Sequence, residues 1–148
     1  MATPNHKTAI VQAATDITPN MRRIDLGGPD LGDFPTGALG GYIKLIFPDD
    51  PRTNPDRPVM RTYSIRAHDI KKGILSVDFA MHADTGGLAM EWAMGAKAGT
   101  QILISGPGTI KMAPERADWY LLAADMTGLP AALCNLERLP ADARGYAV

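Results

Sequence analysis

One cysteine, Cys134, in a chain of 148 residues leaves no thiol to pair with inside the molecule. That excludes an internal disulfide framework and any multi-cysteine metal or iron–sulfur centre. Charge of either sign is also not in excess, since Lys plus Arg number 15 against 16 for Asp plus Glu. No global positive field draws in nucleic acid or an anionic membrane surface. His6, His68 and His82 are too dispersed to make a metal-site argument, so no metal is expected. No segment approaches the length of a membrane span, and Met1 to Lys7 lacks the apolar run of a signal peptide. A cytoplasmic protein without a membrane span is the expectation.

What is there is an apolar fraction of 45%, enough for a real core in a chain of this length. Fifteen glycines and twelve prolines are spread along the chain without a fixed period. Many turns between short elements follow, and that favours β structure over a helical bundle.

Thr8 to Ile17 and Met21 to Leu26 read as two strands joined at Thr18-Pro19-Asn20. A glycine- and proline-rich loop runs through Gly41, and Tyr42 to Phe47 is a third strand. Pro48 to Pro58, with four prolines, reads as an irregular surface segment. Val59 to Ala67 is the fourth strand and Ile74 to His82 the fifth. In the fifth, Leu75, Val77, Phe79 and Met81 alternate with Ile74, Ser76, Asp78 and Ala80, the period of a strand with one buried face. Leu88 to Lys97 changes period, with Leu88, Trp92 and Ala96 spaced four apart as on a short helix. Gln101 to Ser105 is the sixth strand. Six strands with a helix inserted between the last two make a mainly β fold, a small antiparallel barrel.

The tail differs in style. Trp119 to Ala124 is a nearly continuous apolar strand, Leu129 to Leu139 is helical with Pro130 in its first turn, and Gly145 to Val148 reads as a second parallel strand. This is an incomplete βαβ start of a nucleotide-binding α/β domain, and its apolar faces predict packing on the barrel or self-association. The expected division is residues 1–113 for the barrel and 114–148 for the second domain.

Two clusters carry chemistry. Arg61-Thr62-Tyr63-Ser64-Ile65-Arg66 combines two guanidinium forks suited to phosphate, a flat phenol suited to a ring system, and a small hydroxyl. A flavin nucleotide would use all three, but so mixed a strand also fits an edge with solvated arginines and a half-buried tyrosine. Strand alternation puts Arg61 and Tyr63 on one face and Thr62 and Ser64 on the other. Tyr63 and Ser64 therefore meet one ligand only if it lies across the strand end or the strand bends there. The second cluster, Asp78 to Gly87, is a strand leading to Gly86-Gly87 before a helix, where unpartnered N–H groups and the helix dipole favour an anion. Taken alone, two glycines before a helix are better explained as a plain turn. Asp78 and Asp84 read as structural or solvated, Cys134 as a buried inert thiol, and Met60, Met81, Met90 and Met94 as gap fillers in the core.

The order of these clusters, followed by Gly106-Pro107-Gly108, resembles the siderophore-interacting protein family. These are the NAD(P)H-dependent ferric-siderophore reductases among the ferredoxin-reductase-like flavoproteins. The resemblance takes in Asp78-Phe79-Ala80-Met81-His82, Trp92-Ala93 and Ala117-Asp118-Trp119-Tyr120-Leu121-Leu122, and continues to Leu139-Pro140-Ala141. It implies a six-stranded antiparallel Greek-key barrel binding FAD. Arg61 would hold the pyrophosphate, with Thr62 beside it; Tyr63 would lie against the isoalloxazine ring and Ser64 would hydrogen-bond near the reactive nitrogen. The resemblance makes Tyr63 and Ser64 the catalytic pair, and adds His82, Ala83, Thr85, Gly86, Gly87, Leu88, Ala89, Met90, Asp125 and Thr127 as cofactor-binding residues. NAD(P)H would be the electron donor and a ferric siderophore or other ferric chelate the acceptor. The alternative is a non-catalytic flavin-binding or interaction module built on the same barrel. The sequence departs from the family pattern at Ala83, where glycine is usual, at Leu88-Ala89-Met90, where Pro-Ala-Ser is usual, and at Met126, where the family carries an acid.

Overall fold

A computed structural model describes residues 6–48, 58–82 and 87–148. β1 (Lys7–Thr18) and β2 (Met21–Gly27) form a hairpin, and the Asn20 N–H at its turn donates to Thr18 Oγ1 at 3.2 Å. With β3 (Tyr42–Phe47), β4 (Val59–Ser64), β5 (Ala67–Asp69), β6 (Ile74–Ala80) and β7 (Gln101–Ser105) they make a seven-stranded sheet in the order β4-β3-β7-β1-β2-β6-β5. Every pairing in it is antiparallel.

β4 and β5 stand at opposite ends of that order although they adjoin in sequence. They are the two halves of the expected fourth strand, broken at Ile65 and Arg66. The Ile65 N–H donates to the Gly41 carbonyl, beside β3, and the Arg66 N–H donates to the Ser76 carbonyl on β6, both at 2.9 Å. One run of chain thus leaves one edge of the sheet and joins the other, which closes the sheet on itself. Counted this way the barrel has the expected six strands. β7 lies between β3 and β1, and β2 beside β6, the non-sequential neighbours of a Greek key.

Leu75, Val77 and Phe79 of β6 are fully buried, and Ile24, Leu26, Ile43, Leu45 and Ile104 meet them from the other strands. The predicted alternation holds on the buried face, with one departure: Asp78, on the opposite face, is buried as well. α1 (Leu88–Gly95) lays Ala89 and Ala93 on this core with Trp92 packed beside them. It ends before Lys97 because Ala96 is extended and Gly99 takes a positive φ of 89°. Two methionines correct their expectation: Met60 and Met94 are exposed, because the strand edge and the helix face that carry them look outward, whereas Met81 does pack against the core.

β8 (Tyr120–Leu122), α2 (Leu129–Leu136) and β9 (Gly145–Ala147) form the βαβ unit, with β8 and β9 parallel and Gly145 opposite Tyr120. A Cβ on Gly145 would run into the Tyr120 carbonyl, so only glycine lets the two strands approach there. α2 seats on the barrel at the bend. The Cys134 thiol donates to the carbonyls of Ile65 at 3.5 Å and Arg66 at 3.4 Å, and the Arg66 guanidinium forks onto the Glu137 carboxylate at 3.0 and 2.5 Å. Asn135 accepts the Ala113 N–H and donates to the Lys111 carbonyl, tying the connecting segment to the same helix. Among the described residues no helix is long and apolar enough to cross a membrane.

Candidate functional site

Among the described residues β4 pairs with β3 on one side only, which leaves its other edge open until the bend. A cavity of about 400 Å³ wraps this edge and is lined by all four of Arg61, Thr62, Tyr63 and Ser64. That removes the alternation difficulty. A ligand at a free edge touches both faces of a strand. Facing β4 are His82 at the end of β6 and Gly87, Leu88, Ala89 and Met90 in the first turn of α1. Thr127 and Pro130, from the start of α2, complete the wall.

Each wall has a distinct character. Arg61 is exposed, and among the described residues its guanidinium has no carboxylate partner, only the Met60 carbonyl at 2.9 Å. Across from it, Gly87 caps α1 without any side-chain hydrogen bond, and the space where its Cβ would stand is open. A guanidinium with no carboxylate partner among the described residues, sharing a cavity with an uncapped helix start, is an arrangement suited to an anion. Tyr63 is half-buried. Its ring leans on Phe79 with centroids 4.3 Å apart, and Phe79 in turn meets Trp92 at 5.8 Å. This aromatic backing leaves the other part of the phenol ring to the cavity. Burial raises the Tyr63 hydroxyl above its ordinary value against the opposing charge of Arg61, so the ring stays a neutral phenol at physiological pH.

Three lining residues were not among those singled out for binding: Asp78, Ala80 and Pro130. Asp78 is the only buried charged side chain among the described residues, and the Arg23 guanidinium holds it through Nε at 2.7 Å and Nη2 at 2.9 Å. Arg23 sits directly opposite Asp78 across β2 and β6, and their hydrogen bond raises the Arg23 pKa despite the cost of burial. The sequence carried no signal of this burial, since Asp78 keeps the alternation of the strand. Its partner lies 55 residues away and is visible only once the register is known.

Asp125 behaves differently from expectation. Its carboxylate does not line the cavity; Oδ1 accepts the Thr127 hydroxyl at 2.6 Å and the N–H groups of Thr127 and Gly128 at 2.9 Å. These bonds, the Thr127 hydroxyl first, hold its carboxyl below the usual range, with a smaller contribution from the charge of His82. Asp125 shapes the turn that presents Thr127 to the cavity. Ala83, Thr85 and Gly86 lie outside the described residues, as does segment 49–57 of the proline-rich loop. A larger cleft of about 620 Å³ lies between the connecting segment and the end of α2. Its Asn135 and Tyr120 are committed to backbone groups of residues 111, 113 and 114, so it reads as a joint rather than a site.

Comparison with known proteins identifies the family. The family model for the siderophore-interacting FAD-binding domain matches residues 10–56 and 53–111, and that for siderophore-interacting protein matches 117–148. The chain is 33% identical over 144 residues to the ferric vibriobactin reductase ViuB of Vibrio cholerae, covering 88% of this chain and 53% of that protein. It is 31% identical over 137 residues to the NADPH-dependent ferric-chelate reductase of Escherichia coli, covering 83% and 53%. Among solved structures, the siderophore-interacting protein SipS of Aeromonas hydrophila superposes with a TM-score of 0.82 at 37% identity, over 97% of this chain and 58% of that one. The chain therefore spans about half the length of the curated relatives it matches. The phthalate dioxygenase reductase, at 15% identity and a TM-score of 0.69, shares the fold alone. A closed barrel with an open-edged cavity and two family models covering most of its length place this chain in the siderophore-interacting FAD-binding family.

Proposed function

We propose that this chain carries the FAD site of a flavin-dependent reductase whose electron donor is NAD(P)H and whose acceptor is a ferric siderophore or similar ferric chelate. The observation that carries the reading is the single cavity in which the consecutive residues Arg61 to Ser64 face the uncapped start of α1. Its volume of about 400 Å³ suits a tricyclic ring system with part of its chain. Arg61 and the first-turn N–H groups at Leu88 to Met90 bind the pyrophosphate. Tyr63, braced by Phe79, lies along one face of the ring, and Ser64 offers its hydroxyl to the reactive edge. A bound flavin supplies the conversion between hydride and single-electron chemistry, while the protein positions it and limits water. In this reading residues 1–113 form the FAD domain and 114–148 belong to the nicotinamide domain. Thr127, held by Asp125, and Pro130 stand where the second substrate approaches.

Titrating the purified chain with FAD and recording its visible spectrum tests the reading. Saturable uptake at micromolar FAD is expected, and no uptake ends it. Arg61→Ala should weaken FAD about tenfold to a hundredfold, the worth of a charge-assisted bond of about 1.5–3 kcal/mol. Arg66→Ala should change FAD affinity little, because Arg66 is spent on Glu137 outside the cavity. Equal losses would refute the assignment. Anaerobic NADH and NADPH titrations then decide turnover: flavin that binds but is bleached by neither marks a binding module only.

A further inference from the structure

The cavity presents one face that the binding reading leaves without a task. Asp78 lines it, as do Ser64 and Tyr63, while the Arg23 that pairs with it does not. The pair is thus split, with Asp78 in the cavity wall and Arg23 outside it. Its burial is lopsided, with the Asp78 side chain 5% exposed and Arg23 33% exposed. Both carboxylate oxygens are held by Arg23, so the carboxylate cannot rotate away. The neighbouring charges are themselves engaged: Asp25 accepts the Ser76 hydroxyl at 2.6 Å, and Arg66 is forked onto Glu137. Among the described residues lining the cavity, Arg61 is the one Lys or Arg, and it stands three residues up β4 from Ser64.

Where water is largely excluded, a fixed charge acts on its neighbours more strongly than in solvent. Reduction adds electron density to an isoalloxazine ring, and a carboxylate against the ring opposes that addition. We propose that the Asp78–Arg23 pair sets the reduction potential of FAD bound in this cavity, the carboxylate holding it low so that electrons pass readily to an acceptor. The proposal rests on the FAD reading above and deepens it. It assigns Asp78 an electrostatic task in addition to its place in the barrel wall, with Arg23 as its positioning residue.

The measurement is the midpoint potential of the FAD-loaded chain, reduced with dithionite against a dye of known potential, with oxidised-FAD affinity measured in parallel. Asp78→Asn keeps the shape and removes the charge. It should favour reduced over oxidised flavin about tenfold, a rise of about 30 mV for a two-electron couple. Arg23→Gln leaves the carboxylate unopposed and should shift the potential the other way, while Asp78→Glu should stay near the parent value. A merely structural role would weaken FAD in both redox states and leave their ratio unchanged, and that result overturns the proposal. Shifts of the same sign in Asp78→Asn and Arg23→Gln overturn it too. Where Asp78→Asn does not fold, Arg23→Gln decides: a lowered potential supports the proposal, and an unchanged or raised one sinks it. A parent chain that takes up no FAD removes the FAD reading and this inference together, an outcome distinct from binding with an unshifted potential.

Discussion

In the barrel, Leu75, Val77 and Phe79 turn one face of β6 into core with no exposure, whereas in the two-stranded sheet Leu121 and Tyr146, opposite each other across β8 and β9, stand 57% and 69% exposed. Both are sheets with an apolar face. The barrel hides its face by closing through the bend at Ile65 and Arg66, while the βαβ unit covers only one side with α2 and leaves Trp119, Leu121, Tyr146 and Val148 open. Parallel sheets are ordinarily covered on both faces. The contrast teaches that cohesion is concentrated in the barrel, and that the second unit takes its position from α2 seated on the strand bend.

Substitutions in the two regions should therefore differ most. Phe79→Ala opens a hole in the barrel core and removes the backing of Tyr63, and it should cost about 3–5 kcal/mol in urea unfolding. Leu121→Ala should stay within about 0.5 kcal/mol. Comparable losses would erase the distinction between the two sheets. The seat of α2 comes next. Glu137→Gln frees Arg66 and should cost about 1 kcal/mol or less, because Glu137 is 54% exposed and solvent screens the pair. Amide exchange sharpens the comparison: protection should fall in α2 and stay unchanged in β6, and a uniform fall would show that the two regions unfold as one.

The smallest effect concerns His68 on β5, whose ring meets Phe34 edge-on at 5.8 Å. Burial pushes its pKa below the usual value, and Asp69 opposes this only in part. The unfolded chain therefore binds the proton more readily than the folded one. The stability His68 contributes is present above about pH 6.5 and is lost as pH falls through its lowered folded value. His68→Gln should flatten that acid-side decline in a pH series of urea midpoints, and an unchanged slope would assign the decline to other groups.

Much of the barrel was legible because turn chemistry punctuates it: Pro19-Asn20, Gly73 and the glycines near 99 and 106 bound strands whose apolar residues alternate. The bend was not legible. Apolar and polar residues keep alternating through Ile65 and Arg66, and what breaks the strand is a change of hydrogen-bonding partner from β3 to β6, a tertiary fact. The same limit hid the arrival of Pro130 at the cavity, since its distance from Ser64 in sequence says nothing about where α2 docks. Cys134 shows the reverse. Its apolar neighbours indicated a buried thiol, and it is fully buried with its pKa raised by that burial.

The run from Val59 to Asp69 is at once the latch of the barrel and the arm that reaches into the cavity. Anything that grips Arg61 to Ser64 also braces the seam where the sheet meets its own far edge. Occupancy should therefore register as resistance to unfolding of the whole barrel, growing by about 2.7 kcal/mol at a hundredfold excess of ligand over its Kd. Emptying the site loosens the closure of the fold itself.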